Sequence, residues 1–162
     1  VTTSVELAQL STLIGQRLGP TSSIEISQKM IDEFGRVTLD SQWIHVDPIR
    51  AKNSQFGGTI AHGFLSLSLL SHVMYELLLV KDAGVAINYG LNKVRFPSAL
   101  KSGSQLRGYV ELVRVNGNEN FTDMACTVSL IADGEKIPCC VAESLTRFIP
   151  STVVQDESTV VS

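Results

Sequence analysis

The chain has 162 residues, of which 44% are hydrophobic and 18% charged, with 12 Gly and 5 Pro. This composition fits one globular domain and excludes disordered, collagen-like and low-complexity chains, and a formal net charge of −3 lacks the basic footprint of a nucleic-acid binder. Three cysteines, Cys126, Cys139 and Cys140, cannot complete an even set of disulfides, so they read as buried thiols in a reducing compartment and a cytoplasmic location is expected.

At the start of the chain Val5, Leu7, Leu10 and Ile14 form a rough apolar stripe, which predicts a short helix ended by Gly19-Pro20. The first ten residues lack the basic region and continuous apolar run of a signal peptide. Ile24 and Ile26 alternate with polar neighbours as in a strand, and Ser27 can cap a helix whose Met30, Ile31, Phe34 and Val37 repeat with helical spacing. Between residues 38 and 58 the periodicity disappears, giving a long structured loop of the kind that carries function.

Residues 59–75 contain no charged side chain. His62, Ser66, Ser68, Ser71 and His72, followed at once by Glu76, make this stretch too polar for a membrane span. It reads instead as a helix over about residues 61–79, wrapped by the core, and no membrane association is expected. Downstream come four β-rich runs, residues 86–96, 106–115, 121–131 and 139–149, the last three joined by the turn signals Asn116-Gly117 and Asp133-Gly134. The pattern predicts a single α+β domain over residues 1–150, with a curved antiparallel sheet wrapped around a long central helix. Residues 151–162, rich in Ser, Thr and Val, are expected to form a flexible tail. Residues 124–131 and 138–142 are mostly apolar or small, and a sheet edge built from them would be undefended, so a homodimer joined edge to edge is expected.

Two segments carry candidate chemistry. Asp40-Ser-Gln-Trp-Ile-His45 puts an acid and an imidazole five residues apart, which on a helix would point them about 140° from each other. From an irregular turn they can converge and act together on one water. Taken alone, the pair reads equally as a capping Asp beside a structural His. The second segment, Phe56-Gly-Gly-Thr-Ile-Ala-His62-Gly63-Phe64, opens the long helix, where unpaired amides and a glycine let a carbonyl oxygen approach the backbone. Its plainer reading is that Gly63 eases the start of the helix while His62 caps or packs. Lys93 and Arg95 share a strand face by alternation and can meet phosphates or simply stay solvated. His72 reads as a core or interface histidine. Cys139-Cys140 has no second ligand pair at metal spacing, and no Walker or dinucleotide glycine motif is present.

Together the two segments resemble the MaoC-like hydratases and dehydratases of the hot-dog fold, including R-specific enoyl-CoA hydratases and the nodulation protein N-like branch. The resemblance rests on Asp40 to His45 followed by Val46-Asp47-Pro48, on Thr59-Ile-Ala-His-Gly-Phe64, and on the strand Ile87-Asn-Tyr-Gly-Leu-Asn-Lys-Val-Arg-Phe-Pro97, and it covers roughly residues 20–149. It implies reversible hydration of trans-2-enoyl-CoA to (3R)-3-hydroxyacyl-CoA, with Asp40 and His45 as the catalytic dyad and the Gly63 amide donating to the thioester oxygen. It also implies that Ser71, two helical turns after Gly63, lies close to the dyad. The substrate would be an acyl-CoA or acyl-carrier-protein thioester, with Lys93 and Arg95 available to the phosphates of coenzyme A, and neither metal nor further cofactor is expected. Leu39-Asp40 and Gln42-Trp43 replace the Gly-Asp and Asn-Pro of the fuller hydratase pattern, and Trp43 is expected to reshape the acyl pocket. The rival expectations are an acyl thioesterase on the same fold and a non-catalytic acyl-thioester-binding subunit.

Overall fold

The computed structural model describes residues 1–157. Eight strands are formed: β1 (Thr3–Val5), β2 (Arg17–Leu18), β3 (Ile24–Ile26), β4 (Leu78–Val80), β5 (Ala83–Arg95), β6 (Ser104–Gly117), β7 (Thr122–Ala132) and β8 (Cys140–Pro150). The α-helices are α1 (Gln28–Thr38), α2 (Trp43–Val46), α3 (Pro48–Lys52), α4 (Gly63–Ser68), α5 (Leu70–Leu77) and α6 (Ser151–Glu157), preceded by a 3-10 helix over Leu7–Leu13. The main sheet runs β2-β6-β7-β8-β5, with β3 also on β6, and its pairings are antiparallel. It packs over α4 and α5, which is the hot-dog arrangement.

The long strands form because their apolar residues alternate, and one face of the sheet is therefore buried along its length. Leu106, Val110 and Leu112 of β6, Met124, Cys126, Val128 and Leu130 of β7, and Cys140, Ala142 and Phe148 of β8 point inward against Leu70, Val73 and Leu77 of α5. The helix lies so close to β6 that a Cβ on Gly108 would stand 2.4 Å from Val73 Cγ2. That glycine sets the distance between helix and sheet.

Several local expectations are corrected. The first twenty residues form β1, the 3-10 helix and β2 in place of one helix, because β1 pairs in parallel with β4 while Leu10 and Leu13 are buried from the 3-10 turn. The aperiodic loop contains α2 and α3. Pro48 opens α3, and the Asp47 carboxylate accepts from the Arg50 amide at 2.9 Å, a proline-first cap. The long helix is two segments that meet at Leu69, and it ends before Leu78 because residues 78–80 leave it to pair with β1. The first hairpin turn lies beyond Asn116-Gly117, over residues 118–121, where the Asn118 side chain accepts from the amides of Asn120 and Phe121.

The largest correction concerns the sheet edge. β7 and β8 are interior strands, each hydrogen-bonded to a neighbour on both edges, so their apolar residues reflect the one buried face of the sheet rather than an open edge. One end of the sheet is the short β2 and β3 on β6; the long free edge among the described residues is β5, which pairs with β8 on one side alone and exposes Val85, Ile87, Tyr89 and Leu91. Within the segment expected as a tail, residues 151–157 form α6, whose first residue donates from its amide and hydroxyl to the Asp82 carbonyl at 2.9 and 2.8 Å. Residues 158–162 lie outside the described part. No described helix is long and apolar enough to cross a membrane.

Gly108→Ala should push Val73 out of a fully buried position and cost about 2 kcal/mol or more of stability, as overpacking does. Chemical denaturation checks this. A variant as stable as the parent would show that α5 does not depend on close approach at Gly108.

Candidate active site

The site forms where three short elements meet the start of α4. Helix α1 ends at Leu39, which adopts a left-handed conformation with φ 61°. This is the position where the fuller hydratase motif has glycine, so leucine meets here the backbone cost that glycine avoids. The turn delivers Asp40 to the site with its side chain about 50% exposed, and one carboxylate oxygen accepts from the Gln42 amide at 3.3 Å.

One helical turn later α2 carries His45 inward, 6% exposed. Its Nδ1 lies 2.7 Å from the Ile60 carbonyl oxygen. A carbonyl only accepts, so Nδ1 carries the proton and Nε2 keeps a bare lone pair. The Ile60 amide donates in return to the Ile44 carbonyl at 3.0 Å, which clips α2 to the strand-like segment before α4. Gln28 of α1 secures the same place, donating to the His45 carbonyl at 2.8 Å while its own carbonyl accepts from the Thr59 hydroxyl.

His62 caps α4 and lies 3% exposed against His45, with ring centroids 3.8 Å apart and planes inclined by 26°. Burial holds the His45 imidazole below its ordinary pKa; the hydrogen bond to Ile60 opposes this, the neighbouring His62 reinforces it, and the Asp40 carboxylate opposes it in turn.

Two recesses adjoin at these rings. One, of about 280 Å³, is lined by Phe34, Thr38, Asp40, His45, His62, Gly63 and Phe64. The other, of about 310 Å³, is lined by His45, Gly63, Ser66, Phe96, Cys139 and the loop reaching Leu100. His45 and Gly63 are common to both. Asp40 is the only charged side chain on either lining, and a Cβ on Gly63 would stand 3.0 Å from the Phe96 ring. Burial pushes the Cys139 thiol up to about 11, so it faces the recess as a neutral thiol and a poor nucleophile.

Asp40, His45 and His62 each offer a ligand atom within 4.8 Å of the others, yet they suit a metal ion poorly. Stacked imidazoles hold their lone pairs in nearly parallel planes, which do not converge on one ion, and Nδ1 of His45 is already engaged.

The structure thus brings together Asp40, His45 and Gly63. Ser71 is not brought to them; its hydroxyl accepts from the Asn88 side chain at 3.0 Å and lines separate cavities along β5. The helix serine that lines the recess with His45 and Gly63 is Ser66, about 1.4 turns earlier than Ser71 on the helical path. Trp43 lines neither recess, and its ring is covered by the Arg50 guanidinium at 4.3 Å. Lys93 and Arg95 are exposed on β5; Lys93 lies opposite Glu143, and Arg95 immediately precedes Phe96 of the recess. The sequence assigns no role in the site to Ser66 or Gln28, and it gives His62 only a capping or packing role. Its position directly before Gly63 in the motif was the available signal.

Comparison with known proteins gives the family. Residues 9–134 match the MaoC like domain family, and the chain belongs to it, as a MaoC-like hydratase/dehydratase. Over 144 residues, 88% of this chain and 95% of the relative, it is 42% identical to 3-hydroxyacyl-thioester dehydratase Z of Mycobacterium tuberculosis. It is 47% identical over 106 residues to nodulation protein N of Rhizobium leguminosarum bv. viciae, covering 64% of this chain and 66% of that one. The R-hydratase of Pseudomonas aeruginosa superposes with a TM-score of 0.65 and 28% identity, over 85% of this chain and 81% of that chain.

A buried base that works in its neutral form should keep working below the ordinary histidine range. Because the folded-state pKa of His45 is lowered, protonation silences it only at more acidic pH. The acid limb of kcat/KM should therefore fall below about 6.5, the unperturbed value. A limb centred above that value would contradict the role of His45 as the base.

Proposed function

We propose that this chain reversibly hydrates trans-2-enoyl thioesters of coenzyme A or acyl carrier protein to the (3R)-3-hydroxyacyl products. The observation that carries the reading is the bare Nε2 of His45 beside the Asp40 carboxylate and the Gly63 amide at one recess. The enoyl thioester is already electrophilic at C3, so the protein has only to place a water, move one proton and stabilise the thioester oxygen. Asp40 accepts a hydrogen bond from the water and orients it. Nε2 of His45 takes a proton as the water oxygen bonds to C3, and the displaced electron pair moves through C2 toward the thioester oxygen, where the Gly63 N–H donates. His45 then returns its proton to C2, so one water has been added across the double bond. The cycle as written uses no metal and no further cofactor. Arg95 and Lys93 are the cations placed for the phosphates of a coenzyme A carrier, Arg95 being next to the recess.

The homodimer is proposed through β5 and not through the last strands. An edge strand of 13 residues with Val85, Ile87, Tyr89 and Leu91 exposed offers backbone groups and apolar area to a second copy. Light scattering at micromolar concentration should give twice the mass of one chain, and Ile87→Lys should shift it toward one. A monomeric parent protein would refute the edge assignment.

The reaction is tested on crotonyl-CoA by loss of the enoyl absorbance and chiral analysis of the product. Asp40→Asn and His45→Gln should each lower kcat by about 10²-fold or more while melting stays near that of the parent, and Gly63→Val, whose side chain presses on Phe96, should lower kcat as far, with melting measured beside it. Mainly (3S) product, or near-parental rates in the dyad variants, would overturn the mechanism. Release of free thiol would assign a thioesterase, and binding without turnover a non-catalytic subunit.

A further inference from the structure

His62 is a buried histidine that the hydration mechanism leaves unused, and several groups pack directly on its ring. Its Nε2 lies 3.0 Å from the main-chain carbonyl oxygen of Asp40 and 4.0 Å from a carboxylate oxygen of the same residue. The carbonyl only accepts, so Nε2 carries the proton. One face of the ring stacks on His45, and Phe34 packs against it with ring centroids 5.2 Å apart. The remaining space is made by Gly35, where a Cβ would stand 2.9 Å from the Asp40 carbonyl oxygen and 3.4 Å from His62 Cε1.

Nδ1 of His62 is buried with no hydrogen-bond partner among the described residues. An unpaired buried acceptor weakens the folded state, and a phenyl ring would fill the same space without one. Packing alone therefore does not account for an imidazole here. The other nitrogen does, because it alone reaches the carbonyl of Asp40.

Resting on the hydratase reading above, we propose that His62 is a positioning residue for the reaction: its Nε2–H fixes the main chain of Asp40 while its ring face fixes the plane of His45. The carboxylate and the bare Nε2 of His45 come from separate turns, and among the described residues His62 touches both. A misplacement of about 1 Å in such a pair is enough to cost about 10²-fold in rate. The same residue also places Gly63, its chain neighbour, so the three groups of the site share one anchor.

The test combines kinetics with a spectroscopic readout that needs no substrate. Nitrogen NMR of the three histidines in the ligand-free protein should show His45 as the Nδ1–H tautomer and His62 as the Nε2–H tautomer, with exposed His72 as a reference. His62 found as Nδ1–H would overturn the proposal whatever the enzyme's activity, because Nε2 could not then donate to Asp40. On crotonyl-CoA, His62→Phe should lower kcat about 10- to 100-fold with KM changed less than about 3-fold, while melting within about 3 °C of the parent. His62→Gln, whose amide nitrogen can reach the same carbonyl, should recover kcat to within about 5-fold of the parent. A folded His62→Phe variant with parental kcat, or a Gln variant as slow as the Phe variant, would refute the positioning role. Should His62→Phe fail to fold, Gly35→Ala takes its place. Its methyl group presses on both the Asp40 carbonyl and the His62 ring at their contact, so a loss of about 10-fold in kcat supports the proposal and full activity overturns it. A parent protein that turns over no enoyl thioester would sink the hydratase reading and leave the tautomers to decide the geometry.

Discussion

Both imidazoles of the site are held by main-chain carbonyls, His45 by Ile60 and His62 by Asp40, and the rest of the arrangement depends on this. In a serine-protease triad a carboxylate orients the histidine and is consumed by doing so. Here the carbonyl of Ile60 fixes the tautomer, which leaves the Asp40 carboxylate uncommitted to the ring. In the proposed reaction the carboxylate and the imidazole can then face one water in parallel instead of standing in series. The arrangement demands that residues 59–61 lie firmly beside α2, and the bonds between Ile60 and Ile44, between Gln28 and His45, and between the Ala61 amide and the Leu100 carbonyl at 2.7 Å hold them there.

The two partners of the dyad also occupy different surroundings. Asp40 is half-exposed on an irregular turn, while His45 is buried and held below its ordinary pKa chiefly by that burial. The dry surroundings of His45 penalise its cation, so the imidazole stays neutral with a lone pair free to accept a proton. Asp40 is the one carboxylate on the two linings, so in the proposed reaction charge that develops on the thioester would meet it together with backbone dipoles and the hydroxyls of Thr38 and Ser66.

What the sequence made legible followed from periodicity and local chemistry. Ser27 does cap α1, its hydroxyl accepting from the Met30 amide at 3.2 Å, and the four β-rich runs became the four long strands because alternation over ten or more residues has few other solutions. The pairing of Asp40 and His45 with Gly63 was legible from the two-part motif. One-turn helices such as α2 and α3 span too few residues to show a period, and β1 is stable only through β4, more than seventy residues away. The strand order is likewise non-local: an apolar run reads the same at an edge and in the interior, so the open edge was first sought in β7 and β8 when it lies at β5. The resemblance points to Ser71 by its distance of two turns from Gly63, but a count of turns does not say which face of the helix looks at His45, and Ser66 is the helix serine on that lining.

The position of Cys139 shows what this enclosure selects against as well as what it assembles. A thiolate beside an enoyl thioester would add to C3 and block the site, and Cys139 lines the same recess as His45. Two features keep it from doing so. Burial raises its pKa to about 11, which leaves little thiolate at neutral pH, and its sulfur already donates to the Leu130 carbonyl at 3.4 Å. The same dryness that lowers the pKa of His45, by penalising its cation, raises that of Cys139, by penalising its anion. One physical cause therefore keeps a base neutral and ready while it keeps a neighbouring nucleophile neutral and idle.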